Sequence, residues 1–276
     1  MLPLIFRRPD ALVGAALLAA ALVLIAPAAR ADTVTLGALK DTTVFQNNVN
    51  NSSGGSPGLF AGTNGMTSPR RALIQFDIAA ALPAGAIITD VQFRLVLGQI
   101  AGNAAQATRT ISLFGVSADW GEGTLGTSNS LGGTGQGSPA AAGDATWNAR
   151  MFGSTLWNTP GGDFNPTARA TLTLTNATVG TAFTWTSTGL VNDVQTWLNT
   201  PAANHGWELI NADETVAQTL LGFYSREGTG AAGSAAALPQ LTVSFVPEPG
   251  PATCLFAVAL AGIVWHRAAR RPAARC

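Results

Sequence analysis

The side chains best suited to chemistry lie between residues 32 and 246, and tryptophan leads them. An indole presents a flat apolar face, and the C–H face of a pyranose ring stacks on such a surface. Trp120, Trp147 and Trp157 stand in or beside Gly- and Asn-rich stretches, where loops expose side chains, so they are the expected sugar contacts. Trp185, Trp197 and Trp207 fall in strand-like or helix-like patterns and are expected in the core. Arg70, Arg71, Arg150 and Arg169 carry the forked donors that pair with carboxylates, and would suit an acidic sugar. Asp119, Glu122 and Asp144 offer hard oxygen ligands beside the same loops, so a structural Ca2+ is the expected metal if one is held. Their spacing matches no EF-hand loop.

Catalytic chemistry has few candidates. Residues 32–246 hold one histidine, His205, and one tyrosine, Tyr224, and both cysteines, Cys254 and Cys276, lie beyond them. A Ser-His-Asp arrangement would have to use His205, and a Tyr/His lyase would need Tyr224 as well. Neither residue has an acid–base partner at a telling spacing, and His205 in Asn-His-Gly reads as a turn residue. Thirteen acidic residues could supply paired carboxylates, but their order does not say which two would approach. The expectation is therefore a segment without catalysis, without thiol chemistry and without disulfides.

The net charge of zero is a sum of unlike parts. Residues 32–246 hold 8 basic and 13 acidic side chains, a charge of about −5, while basic residues gather at both ends. An acidic segment disfavours nucleic acid as a partner, because a binder must neutralise phosphates. Only 11% of the residues are charged and 31 are glycine, a composition unlike that of a disordered chain.

The elements that must position these groups read mostly as strands. In 88–97, Val91, Phe93, Leu95 and Leu97 share one face, with Gln92 and Arg94 on the other. The stretches 71–77, 110–116, 171–175, 220–225 and 240–246 are similarly rich in β-branched and aromatic residues. Gly, Asn, Ser and Pro clusters at 47–58, 121–143 and 228–237 separate them. One segment, about 188–200, has helical spacing of Leu190, Val194, Trp197 and Leu198, with Ser187 or Thr188 to cap it and Pro201 to stop it. The expected fold class is all-β: a single antiparallel β-sandwich, jelly-roll-like, with one short helix.

The two ends read as export signals. Arg7-Arg8, an apolar run from Ala11 to Ile25 and Ala29-Arg30-Ala31 have the order of a secretory signal peptide over residues 1–31. At the other end Pro247-Glu248-Pro249 precedes an apolar stretch from about Pro251 to Trp265, shorter than the ~20 residues of a comfortable spanning helix. Arg267, Arg270, Arg271 and Arg275 follow, and would keep that end cytoplasmic. Motif, apolar helix and arginine cluster together resemble the PEP-CTERM sorting signal of Gram-negative bacteria, here residues 247–276. The resemblance implies transient anchoring in the inner membrane, removal of the tail by an exosortase, and a final place at the cell surface or in an exopolysaccharide matrix.

Between the ends, the order of motifs carries a second resemblance. Arg71-Ala72-Leu73-Ile74-Gln75-Phe76-Asp77, Leu82-Pro83-Ala84-Gly85, Asp119-Trp120-Gly121-Glu122 and Thr146-Trp147-Asn148 are followed by Val191-Asn192-Asp193-Val194-Gln195-Thr196-Trp197. Asn204-His205-Gly206-Trp207, Phe223-Tyr224-Ser225-Arg226-Glu227 and Pro239-Gln240-Leu241-Thr242-Val243 complete the series. Residues 32–246 are thus similar to a DNRLRE-type domain of the kind found in carbohydrate-binding module family 96. That resemblance implies an extracellular β-sandwich binding module, with acidic exopolysaccharide as the expected partner. A purely structural matrix protein, or a polysaccharide lyase or hydrolase, are the alternatives.

Overall fold

The computed structural model describes residues 30–100, 108–126, 131, 136–228 and 233–248 of the chain. The expected signal segment 1–31 lies outside these except for its last two residues, and the expected sorting helix lies wholly outside, as does Pro249. Among the described residues no helix is long and apolar enough to cross a membrane. Asp32–Val246 forms one compact unit.

That unit is built on an antiparallel sheet of eleven strands that curls on itself, consistent with a β-sandwich. Along the sheet run β1 (Asp32–Gly37), β15 (Gln240–Val246), β6 (Ile87–Ile100), β14 (Leu221–Tyr224), β4 (Gly58–Thr63), β5 (Pro69–Gln75), β13 (Trp207–Asn211), β7 (Arg109–Val116) and β11 (Phe164–Leu174). Two more strands attach beside this path: β12 (Ala182–Thr186) pairs with β6, and β2 (Lys40–Phe45) pairs with β5. The strands expected from the sequence correspond to β5, β6, β7, β11, β14 and β15, with β6, β7 and β11 longer than expected and β14 shorter.

Alternation explains why the sheet closes. Val91, Phe93, Leu95 and Leu97 of β6 are all buried, and they meet Ala72 and Ile74 of β5, Ile111 and Leu113 of β7, and Trp207 and Leu209 of β13 in one core. Tilted and edge-on aromatic contacts thread it: Phe93 lies 5.6 Å from Trp185 and 6.0 Å from Trp207, and Trp197 lies 4.6 Å from Trp207. Trp185, Trp197 and Trp207 are core residues, as their patterns suggest.

Two helices finish the unit. α1 (Ile78–Ala81) is a single turn capped by Asp77, which accepts from the Ala80 amide. α2 (Thr188–Asn199) occupies the segment with helical spacing, and Ser187 caps it by accepting from the Leu190 amide at 3.1 Å. Its buried stripe, Leu190, Val194, Trp197 and Leu198, closes one mouth of the core. Asp193 lies on the same stripe, and its carboxylate accepts from the Trp207 indole at 2.8 Å and pairs with Arg169 at 3.2 Å. A buried carboxylate on an apolar stripe is tolerated because both partners are there.

Candidate functional site

The long connection between β7 and β11, residues 117–163, decides which surfaces are available. Side chains alternate along β5, so Ala72 and Ile74 enter the core while Leu73 points to the opposite face. Leu73 is nevertheless fully buried, together with Val44 of β2 and Val116 of β7. The connection folds over this second apolar face and packs Trp120, Ala145, Trp147 and Trp157 against it. Short pairings hold the cover in shape, β9 (Ala149–Met151) with β10 (Thr155–Leu156), and β8 (Ser138–Pro139) with β3 (Asn51–Ser52).

The expectation of exposed tryptophans is therefore corrected. Trp120, Trp147 and Trp157 are only 1%, 6% and 5% exposed, and none offers a free indole face for a pyranose. Two ring nitrogens are satisfied internally: Trp120 donates to the His205 carbonyl and Trp157 to the Thr146 carbonyl, both at 2.9 Å. Lys40 lies 4.3 Å above the Trp120 ring and Arg71 5.2 Å from the Trp147 ring, so cations occupy positions a ligand would need. Glycine-rich loops suggested exposure, but an apolar outer sheet face needs a cover and the tryptophans supply it.

The candidate arginines are also engaged within the fold. Arg70 is only 2% exposed and lies over Phe45. Arg71 makes a forked pair with Glu214, Nε to Oε1 and Nη2 to Oε2 at 2.8 Å each. Arg150 donates to the Asp119 carbonyl at 2.9 Å, and Arg169 pairs with Asp193. The expected metal ligands separate too. Asp119 binds Lys40 at 2.7 Å, and Asp144 is buried and accepts from the Ala141 amide. Glu122 alone joins a carboxylate cluster, and its companions are Asp41 and Glu227.

The other layer presents a contrasting surface. On the outer face of β1, β15, β6 and β12, Thr35, Thr242, Gln92 and Thr186 form one row through successive strand pairs. Gln240, Arg94 and Thr184 form the next. Thr35, Gln92, Thr184 and Thr186 are exposed, and Thr242, Gln240 and Arg94 are half-buried. Thr35 and Thr242 share a hydroxyl hydrogen bond at 3.0 Å, and Thr33 and Ser244 another at 3.1 Å. Arg94 donates to the Ala236 carbonyl at 2.7 Å and approaches Gln240 at 3.5 Å, with no carboxylate ion pair among the described residues. The arrangement is a strip of hydroxyls and amides with one guanidinium, which can hydrogen-bond a polyhydroxylated chain and pair with a carboxylate on it. The alternation of Gln92 and Arg94 against Val91 and Phe93 was the signal for this face, but it does not say whether a face is covered.

One buried group under the tryptophan cover has its own chemistry. Thr42, Leu73, Glu208 and Phe114 form a row across β2, β5, β13 and β7. Glu208 is 0% exposed, and neither carboxylate oxygen has a hydrogen bond. The nearest ion pair, to Arg71, is long at 3.9 Å, and Gly162 lies so close above that a Cβ there would strike the carboxylate. Burial pushes the Glu208 carboxyl well above its ordinary value of 4.5, against the opposing pull of Arg71. The folded state then binds a proton more tightly than the unfolded state, so stability falls as pH rises above 4.5. Glu208→Gln is expected to raise the thermal midpoint by a few degrees at neutral pH, with the gain vanishing near pH 4. Equal midpoints across that range, followed by calorimetry, would contradict the upward shift of the Glu208 carboxyl.

Against this geometry, residues 32–130 match the family model for carbohydrate-binding module family 96. The match runs from β1 through β7 into the start of the tryptophan-bearing connection. No curated protein matches the chain. Residues 32–130 are thus similar to a carbohydrate-binding module, and the later strands β11 to β15 complete the sheet that this segment begins.

Proposed function

We propose that this protein is an exported, non-catalytic polysaccharide-binding protein of the cell surface or extracellular matrix. The match of residues 32–130 to a carbohydrate-binding module family carries the reading. The uncovered polar face of β1, β15, β6 and β12 supplies the contact surface: Gln92, Thr184, Thr186 and Thr242 meet sugar hydroxyls, and Arg94 meets a carboxylate. An acidic exopolysaccharide is the partner that uses this guanidinium. The overall charge of residues 32–246 is negative, so attraction must be local to Arg94. Affinity electrophoresis of the full chain in gels containing a polyuronate such as alginate, and in gels containing a neutral glucan, tests the proposal. Retention is expected in the polyuronate gel, and Arg94→Ala should weaken it by about 10-fold, the cost of losing one charge-assisted hydrogen bond. Mobility unchanged by every polymer would leave a purely structural role.

The termini belong to the same proposal. The leader directs export, and Pro247-Glu248-Pro249 with the apolar and arginine-rich tail presents the chain to an exosortase after temporary anchoring in the inner membrane. Deleting residues 247–249 is expected to leave a longer, membrane-retained form on immunoblots of fractionated cells. Normal maturation of the deletion variant would remove the sorting role.

A further inference from the structure

Three carboxylates from distant parts of the chain converge at one end of the sheet. Asp41 is the second residue of β2, Glu122 lies two residues beyond Trp120 in the covering connection, and Glu227 follows β14. One ligand-type oxygen of each lies within 4.8 Å of the others. Like charges brought this close repel strongly unless something of opposite sign lies among them.

Arg226 supplies part of that charge. Its Nη1 donates to Glu122 Oε1 at 2.9 Å and Oε2 at 3.0 Å, and its Nε lies 3.1 Å from Glu227 Oε1. Its backbone amide donates to Asp41 Oδ2 at 2.8 Å, and the Asp41 amide donates to Glu122 Oε1 at 2.9 Å. Two carboxylate oxygens are left over. Asp41 Oδ1 and Glu227 Oε2 are both buried without a hydrogen-bond partner, and Asp41 as a whole is only 1% exposed. Three carboxylates against one guanidinium leave an excess of two negative charges. A buried oxygen with no donor carries its full desolvation cost, which a bound cation would relieve.

We propose that Asp41, Glu122 and Glu227 hold a Ca2+ ion, with Asp41 Oδ1 and Glu227 Oε2 as ligands. The donor set is all carboxylate oxygen, with neither histidine nor cysteine, which suits a hard divalent cation and not zinc. Ca2+ tolerates ligands drawn from loops, whereas Mg2+ demands near-ideal octahedral geometry. The Glu122 segment is held for the purpose: Gly54 packs so tightly on the Glu122 and Gly123 carbonyls that no side chain fits there, and the Gly55 amide donates to the Leu125 carbonyl at 2.8 Å. The ion ties the start of β2, the root of the tryptophan cover and the turn after β14 into one joint. This role is independent of polysaccharide binding.

Calorimetric titration of CaCl2 into the chelator-treated, dialysed full chain tests the site with no sugar present. One Ca2+ per chain is expected, together with a higher thermal midpoint. Asp41→Asn and Glu227→Gln should each weaken binding by about 10-fold or more, since affinity follows the number of ligand charges. Glu227 is half-buried, so its variant tests the site with less risk to folding. Asp119→Asn, whose carboxylate is committed to Lys40, should bind as the parent does. The absence of calcium from the parent protein, by both heat and elemental analysis, would overturn the proposal. So would undiminished binding in the Asp41 and Glu227 variants.

Discussion

The sheet segment β2–β5–β13–β7 buries apolar side chains on both faces, and the rest of the structure answers that constraint. Ala72, Ile74, Ile111, Leu113 and Trp207 face the main core, and Val44, Leu73 and Val116 face the other way. Leaving the second set in water would forfeit about 1.5–3 kcal/mol for each large side chain, so it must be covered. Trp120, Ala145, Trp147 and Trp157 of the β7–β11 connection provide the cover. Those indoles are packed into the cover and barely exposed.

The same cover organises the electrostatics. Lys40 and Arg71, at the edges of the covered face, lie over Trp120 and Trp147 while pairing with Asp119 and Glu214. Glu208 is trapped beneath Gly162 in the middle of the sheet, where water cannot reach it. At the root of the cover the Asp41, Glu122 and Glu227 carboxylates meet Arg226. Charged groups that a sequence would assign to a ligand are therefore largely occupied in joining the cover to the sheet. The surface that remains open and polar is on the opposite layer, around Gln92 and Arg94.

Much of the architecture was legible in the sequence because it rests on local periodicity. The alternation of Val91, Phe93, Leu95 and Leu97 locates β6 and its buried face, and the spacing of Leu190, Val194, Trp197 and Leu198 locates α2 within a residue or two. The environment of the tryptophans was not legible. Trp120 and Trp147 stand among Gly, Asn and Asp residues, which report backbone turns, and nothing local reports that Leu73 and Val44 wait across the fold. The carboxylate cluster fails for the same reason: Asp41, Glu122 and Glu227 are 81 or more positions apart in steps that only the sheet topology closes. Asp119 and Asp144, near Glu122 in sequence, are drawn instead to Lys40 and to the Ala141 amide.

In the proposed mode of binding, polysaccharide meets the open sheet face and leaves the tryptophan cover untouched. Titration of an acidic oligosaccharide into isotope-labelled protein, followed by NMR, tests this most directly. Shifts are expected in the amides of β1, β15, β6 and β12 around Gln92 and Arg94, with the indole N–H signals of Trp120, Trp147 and Trp157 unmoved. Saturable shifts of those three indole signals, with the sheet face silent, would contradict it.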